Sequence, residues 1–373
     1  SRLRRFACVK PVGFCSVPRL MAMMLVRAVS RCARECAPQC FIAPEQGALR
    51  RSVRQLHGQT LGFVGLGKIG SGMVGNLTAA GAQVVAFDPN EEALANTVQA
   101  GAVRATSAAD VARHAKVVLT AVPNDKVLNT VVEELLPALA ERTDGAVHVS
   151  CSTVAPATSR ALQESHSKRG VGFVAAPVFA RPDGMRRREA TIPMSGPAWA
   201  KELVQPILEK SSMGVHDFGE DAGAANVVKL GGNFLIAAAI QSIAEAAALA
   251  ESHGVDREQF VSLMSSTIFD CLIYRGYGHR VAARDHHPHP DAHFALDLGS
   301  KDVALVCAAA QAVACPMPVA SLLRDRFVAA QNAGRGQLDW SAVALRTSED
   351  SGSRQVGAAL EALLGSSKAA AGR

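Results

Sequence analysis

Three polar side chains interrupt an alanine-rich, proline-free stretch between residues 221 and 252. Asn226, Lys229 and Asn233 recur at i, i+3 and i+7, so a helix would place them on one apolar face. Partial burial there would lower the pKa of the lysine from about 10.4 toward neutrality, which would let its amine exchange a proton during a reaction. The same spacing is equally typical of a surface lysine whose stem packs on the helix while its ammonium reaches water.

A glycine-rich turn indicates a second kind of chemistry, the binding of phosphate. The apolar run Leu61–Val64 predicts a buried strand, and Gly65, Gly67 and Gly70 follow it in the spacing G-x-G-x-x-G before a helical pattern. These glycines permit a tight turn, the approach of a pyrophosphate and close packing of helix on strand, and the helix N-terminus favours the phosphates. The turn therefore predicts a dinucleotide site, to which we also assign the intervening residues Leu66, Lys68 and Ile69.

An acidic residue at the end of the next strand extends this prediction to the choice of dinucleotide. Asp88 lies 18 positions after Gly70, close to the spacing of about 20 at which a carboxylate bonds the adenosine ribose. A carboxylate accepts hydrogen bonds from a ribose 2′-hydroxyl and repels a 2′-phosphate. Since no arginine immediately follows Asp88, we expect NAD rather than NADP, with NADP still possible.

Apolar runs and helical patterns alternate as far as residue 219, which favours a doubly wound parallel sheet. Predicted strands end at Val122-Pro123 and before Ser152-Thr153, and ligands bind at such strand ends. The predicted fold class is α/β: a Rossmann domain at 58–219 followed by an all-α domain at 220–345, built on the long helix between the two domains. A basic leader at 1–57 and a flexible tail at 346–373 complete the organisation.

The positive charge of the chain is confined to its leader. The net charge is +6, but residues 1–60 carry ten Arg and one Lys against two Glu, or +9, which leaves −3 for the rest. This excludes a basic body for nucleic acid, and we also expect no membrane partner. A leader rich in Arg, Ser and Ala and poor in acids is typical of a transit peptide, so we expect a mitochondrial protein; a plastid protein and a cytoplasmic one with a basic tail are the alternatives.

Two groups of potential metal ligands receive no metal assignment. Cys32, Cys36 and Cys40 lack a paired cluster downstream. The histidine-rich loop 285–293 contains two prolines and no regular element, so we interpret it as a solvated loop. We therefore predict no metal site.

Four ordered motifs resemble the β-hydroxyacid dehydrogenase family, which includes 3-hydroxyisobutyrate dehydrogenases and glyoxylate or succinic semialdehyde reductases. They are the glycine fingerprint, the segment Ser152-Thr153-Val154, the pattern Gly223-…-Lys229-…-Asn233, and Ser300-Lys301-Asp302. The resemblance covers roughly residues 60–340. It implies hydride transfer between NAD(P) and a small β-hydroxyacid or aldehyde acid, by a homodimer or homotetramer.

The resemblance also implies roles for individual residues. Lys229 falls on the family's catalytic lysine and Asn233 on the asparagine that orients the substrate. Ser152 and Thr153 fall on the segment at the substrate and the nicotinamide. Lys301 falls on the lysine that reaches the cofactor from the α domain.

One segment departs from the family pattern. The family usually has Asp-Ala-Pro-Val-Ser-Gly-Gly, a segment that receives the substrate carboxylate, where this chain has Ala175-Ala176-Pro177-Val178-Phe179-Ala180-Arg181. Arg181 either clamps a carboxylate through two parallel hydrogen bonds or forms a structural ion pair. Phe179 and Arg181, with Asn233, are therefore the candidate substrate residues, and the departure indicates a separate branch of the family.

Two alternative functions share the predicted fold. An imine reductase-like enzyme generally lacks the catalytic lysine, and a non-catalytic scaffold would have lost it. The presence of Lys229 argues against both.

Overall fold

The computed structural model describes residues 56–287 and 292–353. Within them, six parallel strands form one sheet in the order β3-β2-β1-β4-β5-β6. The strands are β1 (Thr60–Val64), β2 (Gln83–Phe87), β3 (Val103–Arg104), β4 (Val117–Thr120), β5 (Val147–Ser150) and β6 (Gly172–Ala175). The order reverses between β1 and β4, so the loops that follow these strands open the crevice in which open α/β sheets bind ligands. The predicted fold class is confirmed.

Helices connect these strands: α1 (Lys68–Ala79), α2 (Glu91–Gln99), α3 (Ala108–His114), α4 (Asp125–Ala140) and α5 (Pro156–Ser167). Side-chain oxygens cap three of them, because Asn90, Ser107 and Asn124 accept hydrogen bonds from first-turn N–H groups. Alternate residues of the strands enter different cores: Phe63 packs in one with α1, and Val64 in the other with α3 and α4. The sheet is thus buried on both faces, which explains its continuous apolar strands.

The strands β7 (Ala190–Met194) and β8 (Ser212–Asp217) form a separate two-stranded parallel sheet. One antiparallel bridge, Ala175 to Ser195, joins this region to the end of β6. The intervening chain contains the short helix α6 (Pro182–Arg186), which the sequence pattern did not predict, and α7 (Ala198–Leu208) lies between the two strands. These two strands do not extend the main sheet, although the alternation of apolar runs and helical patterns as far as residue 219 predicts one doubly wound sheet.

A chain of hydrogen bonds through two buried histidines connects the end of β4, through β5, to α5. Thr120 Oγ1 lies 3.0 Å from His148 Nε2, and His148 Nδ1 lies 3.0 Å from His166 Nε2. His166 Nδ1 lies 2.7 Å from the Leu162 carbonyl, which only accepts, so Nδ1 carries the proton in both neutral rings. Burial holds the pKa of His148 well below its usual value and lowers that of His166 to about 4.

The all-α domain is built on α8 (Gly223–Ser252), with α9 (Arg257–Ser266), α10 (Leu272–Ala283), α11 (Leu296–Ala312), α12 (Pro318–Asn332) and α13 (Val343–Asp350) packed around it. Trp340 forms its centre, since the rings of Tyr277, Phe294 and Phe327 pack around the indole. We expected a flexible tail from residue 346, but α13 continues to Asp350. Thr347 and Ser348 are buried against the domain, and this burial fixes the last turn of the helix.

Within the described residues, α8 alone is long and apolar enough to cross a membrane, by length and composition only. It packs against α5 on one side and against α9–α13 on the other, as the core helix of a folded domain does. The predicted leader at 1–57 lies almost wholly outside the described residues, as does the cysteine group at 32–40.

Candidate active site

The glycine turn has the geometry that its spacing predicts. Gly65 has φ +95°, and a Cβ built on it would lie 2.4 Å from the Ala121 carbonyl oxygen. A Cβ on Gly70 would lie 2.0 Å from the Gly65 oxygen, so the first turn of α1 packs directly on the loop. A Cβ on Gly67 would meet nothing within 4 Å. The turn therefore leaves open space at Gly67, where a dinucleotide pyrophosphate would need to approach the backbone.

Asp88 is held beside this turn by two backbone donors. Its Oδ2 accepts a hydrogen bond from the Leu66 N–H at 2.6 Å, and its Oδ1 accepts one from the Asn90 N–H at 2.8 Å. Each carboxylate oxygen has a further lone pair for a ribose hydroxyl. These hydrogen bonds fix the turn and the Asp88 carboxylate relative to each other, and the residues present fit an adenine dinucleotide.

The loops after β4 and β5 meet beside the turn. Ser152 is buried and its hydroxyl accepts a hydrogen bond from the Val122 N–H at 2.9 Å. This leaves the hydroxyl proton of Ser152 available to another acceptor. Pro123, the next residue after Val122, is exposed. The Thr153 carbonyl accepts a hydrogen bond from Lys301 Nζ at 2.7 Å, so a lysine of α11 reaches the nucleotide-binding domain.

A second lysine links the two domains at the turn itself. Lys68 Nζ donates to the Ala292 carbonyl at 2.6 Å. Ile69, the next residue, is half-buried and packs on the apolar core behind α1. Lys68 and Lys301 therefore connect the α domain to two sides of the proposed cofactor site.

Lys229 is buried on α8, with its side chain covered by an aromatic ring. Its Nζ lies 4.2 Å from the centroid of the Phe179 ring, and this ring in turn packs against the Cα of Gly232. Burial lowers the pKa of Lys229 to about 8; the Asp302 carboxylate raises this pKa and the Lys301 ammonium lowers it. The lowered pKa expected from the sequence is confirmed, and the surface-lysine alternative is wrong because Lys229 is only 8 % exposed.

The two asparagines beside Lys229 have different partners. Asn233 Nδ2 donates to Asp302 Oδ2 at 2.5 Å, and Asp302 Oδ1 pairs with Lys301 Nζ at 2.9 Å. A continuous chain of contacts therefore runs from Asn233 through Asp302 and Lys301 to Thr153. Asn226 instead binds Ser159 Oγ at 2.8 Å and the Val154 N–H at 3.3 Å, so it joins α8 to the nucleotide-binding domain.

Within the described residues, Arg181 forms no structural ion pair. Its guanidinium lies over the Tyr277 ring, 5.1 Å from the centroid, and against the Cα of Gly276. Two aromatic side chains near the start of α10 also pack together, since the Phe269 ring stacks on the Tyr274 ring with centroids 4.8 Å apart. The two candidate substrate residues thus face different helices: Phe179 faces α8, and Arg181 faces α10.

The sequence analysis missed one candidate functional residue, and its prediction of no metal site stays a prediction. Asp302 received no role, although it directly follows Lys301 and supplies the carboxylate that faces Lys229. Across 56–287 and 292–353, no group of three potential ligands could hold a metal ion. Four residues of the histidine-rich loop, 288–291, lie outside this description.

Comparison with known proteins identifies the family. A family model for the NAD binding domain of 6-phosphogluconate dehydrogenase matches residues 60–219, and one for the NAD-binding region of NADP-dependent 3-hydroxyisobutyrate dehydrogenase matches residues 223–346. The chain belongs to the β-hydroxyacid dehydrogenase family. An uncharacterized oxidoreductase from Bacillus subtilis is 32% identical over 286 residues, which is 76% of this chain and 98% of the relative.

Further members of the β-hydroxyacid dehydrogenase family agree with this assignment. The 3-hydroxyisobutyrate dehydrogenase of Pseudomonas aeruginosa is 29% identical over 76% of this chain and 96% of its own length. A crystal structure of 3-hydroxyisobutyrate dehydrogenase from Salmonella typhimurium has a TM-score of 0.69 at 26% identity, covering 77% of this chain and 99% of its own. The protein is an NAD(P)-dependent oxidoreductase that acts on a CH–OH group.

Proposed function

We propose that this protein transfers hydride between NAD and a small β-hydroxyacid or aldehyde acid, at the carbon that carries the hydroxyl or carbonyl oxygen, with Lys229 as general acid and base. The observation that carries the proposal is the buried Lys229 ammonium, with a pKa of about 8, beside a chain of contacts that reaches the nucleotide-binding domain. With a pKa near neutrality the side chain is present in both forms, so the ammonium can give a proton and the neutral amine can accept one, as an oxidoreductase needs when the reaction runs in both directions.

The cofactor would be held by the glycine turn, Asp88 and the loops at Val122-Pro123 and Ser152-Thr153. When bound, it supplies a carbon that gives or accepts hydride. In the open space at Gly67, backbone N–H groups at the start of α1 would face the phosphates. The ammonium groups of Lys68 and Lys301 lie on two sides of the site, where each also bonds a backbone carbonyl of the other domain.

The residues of the α domain would manage the proton. In reduction, Lys229 Nζ donates a proton to the oxygen of the carbonyl group as negative charge develops on it, and in oxidation the neutral amine removes the hydroxyl proton. The positive charge also stabilises the oxyanion, which is usually a large electrostatic contribution. Asn233, whose Nδ2 is fixed by Asp302, keeps its amide oxygen for the substrate hydroxyl.

We propose NAD as the preferred dinucleotide because of the charges around Asp88. A 2′-phosphate would lie against a carboxylate already fixed by two N–H groups. Arg104 is the last residue of the neighbouring strand β3, in register with Ala86, and could neutralise such a phosphate, but it pairs with Glu91 instead. The local charge therefore disfavours NADP.

The proposed substrate class follows from the family and from relatives named for 3-hydroxyisobutyrate. The test is a panel of C3–C5 hydroxyacids and semialdehydes, assayed with NAD, NADP and their reduced forms by absorbance, on protein that begins near Leu56. A Gly67→Val variant is the control, because its side chain enters open space at the phosphates without disturbing the fold. We expect turnover that the control lacks, and no turnover across the panel would contradict the proposal.

Two further properties are proposed with the enzyme. Exposed apolar side chains on the α domain support a homodimer or homotetramer: Leu235, Leu249, Leu263, Ile268 and Leu272. Light scattering coupled to gel filtration would contradict this if it gave a monomer at micromolar concentration. The basic leader supports import into mitochondria, and a fluorescent protein fused after residues 1–60 would contradict it by remaining in the cytoplasm.

A further inference from the structure

Three buried hydrogen-bond donors lie together without an acceptor among the described residues. They are Arg181 Nη2, Arg280 Nη1 and His293 Nδ1. They come from three parts of the chain: the residue before α6, the last turn of α10, and the segment that leads into α11. An unmet buried donor costs about 1–3 kcal/mol, and more when it is charged, so three together indicate that something else accepts their hydrogen bonds.

The Arg181 guanidinium is fixed in orientation by α10. It stacks on the Tyr277 ring at 5.1 Å, and a Cβ on Gly276 would lie 2.0 Å from its Nη2. The absence of a side chain at Gly276 is what admits the guanidinium to this position. A planar group held between a ring and a helix backbone offers its N–H groups in one plane, which suits the oxygens of a carboxylate or a related anion.

Arg280 and His293 form the opposite side of the cluster. Arg280 is three residues beyond Tyr277 and therefore on the same face of α10. Its Nη2 lies 3.5 Å from His293 Nε2. A guanidinium only donates, so His293 Nε2 accepts and the neutral ring carries its proton on Nδ1. Burial, and then the Arg280 charge, hold the pKa of His293 below its usual value, so Nδ1 is a neutral donor at pH 7.

The two acids near the cluster accept from other donors, although Asp183 Oδ1 is buried without a partner among the described residues. Asp183 pairs with Arg187 through Oδ2. Asp339 accepts the Ser341 hydroxyl and N–H through Oδ1, and the His293 and Phe294 N–H groups through Oδ2. Both carboxylates influence the pKa of His293, so they lie near it, but neither accepts from the three donors. The charges of Arg181 and Arg280 face those of Asp339 and Asp183, and Arg187 divides its guanidinium between Asp183 and Glu189.

A short segment of chain connects the cluster to the aromatic ring that covers Lys229. Phe179 is bridged to Thr191, and Arg181 has the extended dihedrals φ −83° and ψ 160°. The Cα atoms of Phe179 and Arg181 are at most about 7 Å apart. The Phe179 ring covers Lys229 Nζ on α8 and the Arg181 guanidinium packs on Tyr277 of α10, so this segment reaches both helices.

We propose that Arg181, Arg280 and His293 form the receptor for an acidic group of the substrate, a carboxylate, sulfonate or phosphate separated from the reacting carbon. This inference rests on the proposed function and names the substrate feature that the site selects. The ring of Phe179 shields the Lys229 ammonium from direct pairing with that group, so the acid is bound by the arginines and the lysine remains free to exchange its proton. Uncharged aldehydes of the same length lack the acceptor and leave the three donors unmet.

The first arm of the test measures anion binding without turnover or cofactor. Sodium sulfate is the probe, compared with sodium chloride at equal ionic strength, and the melting temperature is the readout. Arg181→Gln and Arg280→Gln are compared with Arg186→Gln, an exposed arginine at the end of α6. We expect sulfate to stabilise the wild type and Arg186→Gln more than the other two variants, because binding to the folded state raises the melting temperature. Equal stabilisation of all four proteins would overturn the receptor whatever the enzyme does.

The second arm measures selectivity with succinic semialdehyde and butanal, both reduced with NADH. We expect Arg181→Gln and Arg280→Gln each to raise KM for the aldehyde acid about 10- to 100-fold with little change in kcat, and to leave butanal unchanged. An unchanged ratio of kcat/KM for the two aldehydes would overturn the assignment to the substrate. A higher Kd for NADH in the variants, with the ratio constant, would also overturn this assignment, because the arginines would then bind a phosphate of the cofactor. If neither aldehyde reacts with wild-type protein, the proposed function fails and the sulfate arm still decides on the receptor.

Discussion

Burial accounts for most of the lowered pKa of Lys229, and two opposing charges adjust it, which gives a prediction with two signs. Burial lowers the pKa from 10.5 to about 8, a difference of 2.5 that corresponds to about 3 kcal/mol. The Asp302 carboxylate raises this pKa and the Lys301 ammonium lowers it. Asp302→Asn removes the favourable charge, keeps an oxygen for Asn233 Nδ2, and leaves Lys301 unpaired. Lys301→Met removes the unfavourable charge and leaves Asp302 unpaired. The first change should therefore lower the pKa and the second should raise it.

The magnitude follows from the usual effect of a neighbouring charge, about one pKa unit or more. Reduction requires the ammonium, so its rate falls as the pH rises through the pKa. At pH 8 about half of Lys229 is protonated in the wild type, about one-tenth if the pKa falls to about 7, and about nine-tenths if it rises to about 9. Asp302→Asn should thus reduce the rate of reduction at pH 8 about fivefold, and Lys301→Met should increase it about twofold.

The assay is kcat/KM for an aldehyde acid from pH 6 to 10, with NADH saturating so that weaker cofactor binding does not enter. The oxidation of the matching hydroxyacid should show the mirror-image profile, rising through the same pKa because it needs the neutral amine. If the midpoint of the pH–rate profile moves in the same direction in both variants, or does not move, the assignment of this titration to Lys229 is refuted.

Three further predictions concern the nucleotide-binding domain. Gly70→Ala should lower the melting temperature by several degrees, because the new Cβ meets the Gly65 oxygen at 2.0 Å. Gly75→Ala, on the same helix and in open space, should not lower it, and equal melting temperatures for the two variants would contradict this. Asp88→Ser should shift the ratio of kcat/KM for NADH over NADPH toward NADPH by about tenfold or more, and an unchanged ratio would exclude a contact with the ribose. The neutral His148–His166 pair should destabilise the fold as the pH falls below about 6.5, where the unfolded rings take up protons first, by up to about 3 kcal/mol near pH 4 for His166. Urea unfolding of a His148→Leu/His166→Met variant should show a smaller loss of stability between pH 7 and pH 5.

The parts of the fold that depend on local pattern could be predicted from the sequence. The glycine turn and the strand that ends before Asp88 follow from short-range rules, and the structure places them where the pattern does. The burial of Lys229 could be expected from its place on an apolar face, although the pattern left a surface alternative open. The separation of β7 and β8 from the main sheet could not be predicted, because their apolar runs resemble those of the main strands.

Contacts between distant parts of the chain account for the rest. The ring of Phe179 covers Lys229 from 50 positions away, and Arg181 meets Gly276 and Tyr277 of another domain. Each depends on how the segment that contains Phe179 and Arg181 packs against α8 and α10, and the sequence carries no short-range signal for that packing. Asp302 was within reach of sequence reasoning, since an acid beside a functional lysine commonly tunes charge at a site.

The role of Lys229 is the central claim, and one variant tests it most directly. Lys229→Ala should lower kcat about 10²- to 10⁴-fold, while NADH fluorescence titration gives a Kd close to that of the wild type, because Lys229 lies in the α domain and the glycine turn is intact. Added ethylammonium should restore part of the rate by replacing the missing amine. Turnover at the wild-type rate in Lys229→Ala would contradict the account.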